Sequence, residues 1–521
     1  MNRRSFLRHT IHGAAVSTMA TSLGMAAPAR RQLQELMRIA EETDRVLVLV
    51  YLDGGNDGLN TVVPLDQMSN LSAARPHVIL PENSLHQLEG TQVGLHPSLS
   101  GFKSLFDEGR LKIIQGVGYP NPNYSHFRST DIWMSGSDAN EYVNSGWTGR
   151  YLQNEYPAYP EGFPNTEMTD PLAIEVGYGA SLLFQGPTAA MSMVISGPES
   201  FHELVDNVEQ PVPNTQAGEK LRYVRLVARQ SQQYGEVVVA AAEAGNNIAA
   251  YDPANGLAQQ LKVIARLISG GLKTPLYMVR LGGFDTHDAQ VDTGDKTKGE
   301  HASLLKYVND AILSFMQDNE ALGTADRVVG MTFSEFGRTI MSNASNGTDH
   351  GTAAPMFIFG NAVAGGLTGT NHEIGANLTY DVDLDMKYDF RQVYYSMLTQ
   401  WLGMSTEAAQ GVLLDQFNPI SIIKGADEVT GLADWGRERQ NNLSVYPNPL
   451  NGQAKVRFES YGEPLRIDLV DLTGRQVAAI YQGTPPTGPQ TIAWDTHALH
   501  PGQYVVVLRT PSFQQGFRVV K

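Results

Sequence analysis

The sequence predicts an α/β core with a mostly parallel sheet flanked by helices, followed by a small C-terminal β-sandwich. Three observations carry this. Continuous apolar runs end abruptly in glycine, as Arg45-Val-Leu-Val-Leu-Val-Tyr-Leu does before Asp53-Gly-Gly-Asn-Asp-Gly, and such runs suit strands buried on both faces. Segments with apolar residues three and four apart alternate with these runs, which implies parallel strands joined by helical crossovers. Beyond residue 443 the pattern becomes short alternating strands divided by Pro, Asn and Gly, the pattern of a sandwich.

The first residues read as an address. Asn2-Arg-Arg-Ser-Phe-Leu-Arg precedes a weakly apolar stretch from Gly13 to Ala27, which closes on Ala27-Pro-Ala29. Basic, apolar and small-residue regions in that order predict a signal peptide over 1–29. Arg3-Arg4 ahead of Phe6-Leu7 resembles a twin-arginine signal. The stretch is too short and polar to span ~30 Å of hydrocarbon. No later segment approaches that length, so no transmembrane segment is expected in the mature chain.

The α/β core is expected over 30–424. Its strand-like runs are 45–52, 111–118, 276–283, 327–333 and 356–360, with helical patterns at 261–268 and 304–315. A polar linker over 425–441 precedes the sandwich, 442–521, for which six or seven strands are expected. The formal net charge of −16 offers no basic stripe and argues against nucleic acid. There are no cysteines, so disulfides, thiolate metal sites and cysteine nucleophiles are excluded.

Sheets of this kind bind ligands at the carboxyl ends of their strands. Polar clusters follow four of the runs, at 53–57, 124–131, 285–288 and 335–350, and should converge on one edge. Asp53, with Asn56 and Asp57 beside it, is placed to bind a cation, although the same residues favour Asx turns. Ser125 opens a helix, where backbone N–H groups stabilise anions, so it reads as a nucleophile or as a cap. Arg128 could face an oxyanion from that helix, and His126 could be a ligand, an oxyanion contact or a packed residue. Asp285 and His287 alternate in an extended segment and so point the same way toward one ion. His301 could join them. Arg338 stays charged at any working pH and suits charge stabilisation, with an ion pair to Glu335 or Asp389 as the alternative. Asp349 and His350, set between Gly347 and Gly351, are adjacent oxygen and imidazole donors for a metal.

Tyr51-Leu-Asp-Gly-Gly-Asn-Asp-Gly-Leu-Asn, Tyr124-Ser-His-Phe-Arg-Ser, Gly283-Phe-Asp-Thr-His, Ser334-Glu-Phe-Gly-Arg-Thr and Thr348-Asp-His-Gly together resemble the DUF1501 family over roughly residues 44–405. The resemblance implies an alkaline-phosphatase-like sheet carrying divalent metals. Carried over by position, it implies Asp53, Asp285, His287, Asp349 and His350 as metal ligands and Ser125 in the nucleophile's place. Val445-Tyr-Pro-Asn-Pro, Val470-Asp-Leu-Thr-Gly-Arg and Leu499-His-Pro-Gly-Gln-Tyr resemble the type A sorting domain of the type IX secretion system. That implies passage across the outer membrane of a Bacteroidota-type cell, then release or surface attachment. Cargo of that route normally crosses the inner membrane by the general secretory pathway, from which the twin-arginine pattern departs.

The leading expectation is an exported, metal-dependent hydrolase of phosphate or sulfate esters. Zn²⁺, Ca²⁺ or Mg²⁺ would be held by the five ligands, and a small anionic ester by Arg128 or Arg338 near Ser125. The alternative is a non-catalytic surface protein on a hydrolase-like scaffold.

Overall fold

In the computed structural model the chain divides into two compact units, 1–424 and 425–521. The structure describes residues 44–426 apart from 178, 197–214 and 381, and residues 443–521 apart from 447–449, 451, 461, 463, 472–474 and 511–513. The signal-like segment 1–29 and all but the first two residues of the linker lie outside the described residues.

Among the described residues the first unit is built on a nine-stranded sheet. Its strands are β1 (Val46–Asp53), β2 (Leu111–Gly118), β3 (Ala173–Val176), β4 (Met193–Ile195), β5 (Leu276–Gly282), β6 (Val328–Phe333), β7 (Ala354–Phe359), β8 (Gly366–Thr368) and β9 (Tyr388–Asp389). The order is β8-β2-β7-β6-β1-β5-β3-β4, with β9 also on β2. β1 runs parallel to both β5 and β6 in the middle of the sheet. That position explains why its run is apolar on both faces: every residue from Val46 to Leu52 is buried.

One apolar run departs from the parallel pattern. β7 is antiparallel to both β6 and β2. An apolar run carries no direction. Here the chain returns from β6 through a hairpin, Arg338–Ser342 against Thr348–His350, with no helical crossover to reverse it.

Three helices set the layers and the site. The helix α1 (His126–Ser135) follows β2, α2 (Gly256–Ser269) precedes β5, and α3 (Glu300–Ala321) lies between β5 and β6. Asn255 caps α2 by accepting from Ala258 N at 3.1 Å. The stripe Leu257, Leu261, Ile264, Ile268 of α2 and the stripe Leu304, Val308, Ile312, Phe315 of α3 enter the core that contains Val48 and Val50 of β1. Burying each such side chain contributes about 1.5–3 kcal/mol. α1 buries Ile132 and Trp133, with Trp133 stacked on Phe390 at 4.4 Å, and it stops at Gly136 in the left-handed region. The tail of this packing leaves the first turn of α1 at the carboxyl end of the sheet.

The second unit is a sandwich of two antiparallel sheets. One orders strands 444–446, 453–460 and 488–495; the other orders 476–483, 465–471, 503–509 and 514–520. Alternate residues such as Val456, Phe458, Ile467, Leu469, Val506 and Leu508 form its core. Buried Asp468 is neutralised by Arg466 at 2.8 Å and Arg509 at 2.9 Å. Among the described residues no helix is long and apolar enough to cross a membrane.

Candidate metal centre

Strand register brings the polar loops to one level. Asp53 lies opposite Gly282 of β5, and Tyr51 lies opposite Phe333 of β6. The loops that follow then bond directly: Phe284 N donates to Asp53 O at 3.1 Å, Asn56 N to Ser334 Oγ at 3.0 Å and Gly54 N to Glu335 Oε1 at 2.9 Å. Gly54 has a φ of 122°, and a Cβ there would sit 2.4 Å from Asp285 N, so only glycine permits this approach.

Arg338 ties the loops together. Its guanidinium is fully buried. Nε donates to Gly55 O at 2.8 Å, Nη1 to Thr348 O at 3.0 Å, and Nη2 to Phe284 O at 2.9 Å, to Asp285 Oδ1 at 2.7 Å and to Gly54 O. Each guanidinium nitrogen is thereby committed to the protein. Instead of facing a bound anion, Arg338 clamps three loops and aims Asp285.

Three histidines surround Asp285. His126 Nδ1 meets the buried carboxylate of Glu335 at 2.7 Å, His287 Nδ1 meets Asp349 Oδ1 at 2.7 Å, and His350 Nδ1 meets the Tyr124 carbonyl at 2.7 Å. Each Nδ1 faces an acceptor and therefore carries its proton there, which leaves each Nε2 as a lone pair. Those lone pairs converge. His126 Nε2 is 3.3 Å from Asp285 Oδ2, and His287 and His350 Nε2 are each 3.1 Å from Oδ1. His287 and His350 Nε2 are 2.9 Å apart. The ligand atoms of His126, Asp285 and His350 lie within 4.8 Å of one another, and His126 Nε2 is buried without a hydrogen-bond partner. Such an array of electron-rich atoms is unfavourable without a cation or extra protons among them. The donor set fits a divalent ion.

Local charges follow the same geometry. Burial would raise the Asp285 carboxyl, but the hydrogen bond from Arg338 and the Arg338 charge bring it down to about 2. The Glu335 hydrogen bond pulls His126 up, against desolvation, whereas desolvation pulls His350 down despite its bond to the Tyr124 carbonyl.

The other expected site residues lie around this cluster or apart from it. Asp349 stands behind His287 as its acceptor. Asp53 points instead to Arg280, whose Nε donates to it at 3.0 Å; the opposite charge two residues back on the adjacent strand captures it. Ser125 is the exposed residue preceding α1, and its hydroxyl makes no cap bond. Arg128 is drawn to the carbonyls of 138–141, including Ala139 O at 3.0 Å, and its guanidinium lies 4.0 Å from the Tyr142 ring centroid. His301 is buried against Asn56 Oδ1 at 3.0 Å, and buried Asp57 is paired with Arg75. In the sequence His126 reads equally as a ligand, an oxyanion contact or a packed residue, and nothing marks Glu335 as its support. Their only local signal was position in two of the four strand-end loops.

Residues 43–413 match the model of a family described as a protein of unknown function, DUF1501. The chain belongs to the DUF1501 family. Residues 444–520 of this DUF1501 protein match a secretion system C-terminal sorting domain, so the protein is exported and is secreted or held at the cell surface. No curated protein matches the chain.

Among solved structures the DUF1501 chain is similar to a protein in the alkaline phosphatase superfamily from Vibrio parahaemolyticus, at 9% identity over 92% of this chain and 80% of that chain (TM-score 0.34). It is similar to the PsFucS1 sulfatase from Pseudoalteromonas sp., at 11% identity over 89% and 87% (TM-score 0.35). It also resembles PorZ, a surface component of the type IX secretion system of Porphyromonas gingivalis, at 22% identity over 18% of this chain and only 12% of that chain (TM-score 0.13). Likenesses at this level leave the fold to be read from the sheet topology and the family from the sequence match.

Proposed function

We propose that the α/β unit is a metal-dependent hydrolase whose ion is held by His126, Asp285, His287 and His350. The observation that carries this is the convergence of three Nε2 lone pairs on Asp285, each ring already spent at Nδ1. Imidazole nitrogens with one carboxylate suit Zn²⁺ better than Ca²⁺ or Mg²⁺, which favour oxygen shells. This ligand set takes in His126 and assigns Asp349 to orienting His287, while Asp53 stays with Arg280. When bound, such an ion supplies Lewis-acid polarisation of an ester oxygen.

The protein's own groups would do the rest. Glu335, Asp349 and the Tyr124 carbonyl hold the rings in one tautomer, and Arg338 holds Asp285 ionised. The substrate class we propose is a phosphate or sulfate ester. Its anion would meet the first-turn N–H groups of α1, since Arg338 and Arg128 are bonded elsewhere, and Ser125 is the candidate nucleophile beside them. Delivery would use the type IX machinery through the C-terminal unit, after inner-membrane export directed by the signal-like segment 1–29, by the twin-arginine or the general secretory route.

One observation favours a second reading. Four protein donors close a tetrahedral shell, as structural ions require. Against it, the side chains of Asp285 and His287 are 47% and 43% exposed, which leaves one side of the centre open. Elemental analysis of the purified chain with a panel of phosphate and sulfate aryl esters decides between them. Bound zinc with ester turnover, both lost in Asp285→Ala, is the expected result. Zinc without turnover leaves only the scaffold reading, and a metal-free, inactive wild type refutes the hydrolase. Full activity in Ser125→Ala removes the nucleophile assignment alone.

A further inference from the structure

Aromatic rings with much of their surface free lie close in the chain to residues of the centre. Among the described large hydrophobic residues, Phe127 and Tyr142 are the most exposed, at 89% and 80%, and Tyr124 is 46% exposed. All three adjoin the site. Phe127 follows the ligand His126 directly, Tyr124 gives its carbonyl to His350, and Tyr142 lies against Arg128 of the same helix. Exposed apolar side chains scattered singly need no explanation, but rings gathered at the mouth of a polar centre mark a binding surface.

Two of the rings are held while exposed. The Tyr124 hydroxyl donates to Asp383 Oδ2 at 2.7 Å. The Arg128 guanidinium 4.0 Å from the Tyr142 centroid is itself anchored on the carbonyls of 138–141. A ring fixed in place with a free face loses little conformational freedom on binding.

Charge narrows the occupant. Exposed Glu141 precedes Tyr142 in the chain, and Asp383 accepts from the Tyr124 hydroxyl. The nearby arginines are engaged: Arg128 as above, and Arg391 with Asp138 and with Asp389 at 2.7 Å. A polyanion or an anionic membrane would meet repulsion here. A chain of uncharged, hydroxyl-bearing rings would not, since its apolar faces stack on aromatic rings and its hydroxyls donate to carboxylates.

We propose that Tyr124, Phe127 and Tyr142 form a stacking rim that binds the sugar rings of a neutral polysaccharide beside the metal centre. This binding stands apart from the hydrolase reading and requires neither the ion nor an ester on the polymer. The test is affinity electrophoresis of the full chain through native gels containing a soluble β-glucan, a xylan or a galactomannan, with alginate and a sulfated galactan as polyanionic counterparts. At least one neutral polymer should retard the wild type, and the Phe127→Ala/Tyr142→Ala double variant should bind about tenfold more weakly. Asp285→Asn should be retarded like wild type. Zinc content, measured on the same preparations, separates the two ideas: a metal-free wild type still retarded through the rim supports the rim and refutes the hydrolase. The rim is overturned if no neutral polymer retards the wild type, if only the polyanions do, or if the double variant migrates like wild type.

Discussion

Two histidine groups sit under the same strand-end loops and have opposite characters. His126, His287 and His350 are partly exposed, spend their Nδ1 atoms on Glu335, Asp349 and a carbonyl, and turn their Nε2 atoms on one carboxylate. His96 and His301 are buried, edge to face with centroids 5.9 Å apart, near the closed pair Asp57–Arg75. Burial pushes His301 down to about 4 and His96 down to about 3, so both are neutral packing residues at pH 7. The same residue types thus serve two ends. Where each acid is answered by its own cation or amide the group stabilises the fold, and where lone pairs face one another the group calls for an ion.

The sharpest break between the two comes from Asp285→Ala, which should remove zinc binding entirely from the folded molecules, as read by elemental analysis, with a loss of stability because buried Arg338 loses its carboxylate partner. Asp57→Ala should keep the zinc. It strands Arg75 as a buried, unpaired charge, at a cost of about 3–5 kcal/mol by denaturant unfolding, with no change in zinc stoichiometry among folded molecules. A smaller effect is expected from Glu335→Gln, which keeps the shape but weakens the grip on His126. Zinc affinity should fall about 10–100-fold in competition with a chelating dye, and an unchanged affinity would deny Glu335 its orienting role.

Acid should probe the buried pair. The unfolded chain protonates His301 near the ordinary value of 6.5, whereas the folded chain resists until about 4. Its contribution to stability is therefore complete above pH 6.5 and declines as pH falls from there toward 4. Melting of the chelator-treated protein should drop across that window, and His301→Gln should flatten the slope by up to one proton. An equal slope in the variant would place the acid sensitivity elsewhere. The smallest effect belongs to Arg280→Ala. Its pair with Asp53 is largely exposed, so about 0–1 kcal/mol is expected; a loss of zinc in this variant would instead tie Asp53 to the centre.

Much of the fold was legible because burial on both faces leaves its mark residue by residue. The runs that became β1, β2, β5, β6 and β7 are mainly apolar segments ended by glycine or a polar loop, and the stripes of α2 and α3 repeat at helical spacing. What stayed hidden was the direction of β7, since hydrophobic pattern is the same read either way along a strand. The site was legible as four loops and only partly as residues. Of the residues read as ligands, Asp285, His287 and His350 come together, with His287 and His350 Nε2 each 3.1 Å from Asp285 Oδ1. Asp53, Arg128 and Arg338 were expected to meet an ion or an anion, and each is bonded elsewhere, to Arg280, to the 138–141 carbonyls and to the loop backbone.

By itself, the sequence determined the α/β core, the sandwich that follows it, the family and the exported state, because those depend on periodicity and on motifs contiguous in the chain. Tertiary structure alone decided which acids and histidines face one another. His126 and Glu335 are 209 positions apart, and Arg280 and Asp53 are 227 apart, so only strand register could bring either pair together. Coulomb attraction and hydrogen bonding act over a few ångströms, and at that range neighbours are set by the sheet.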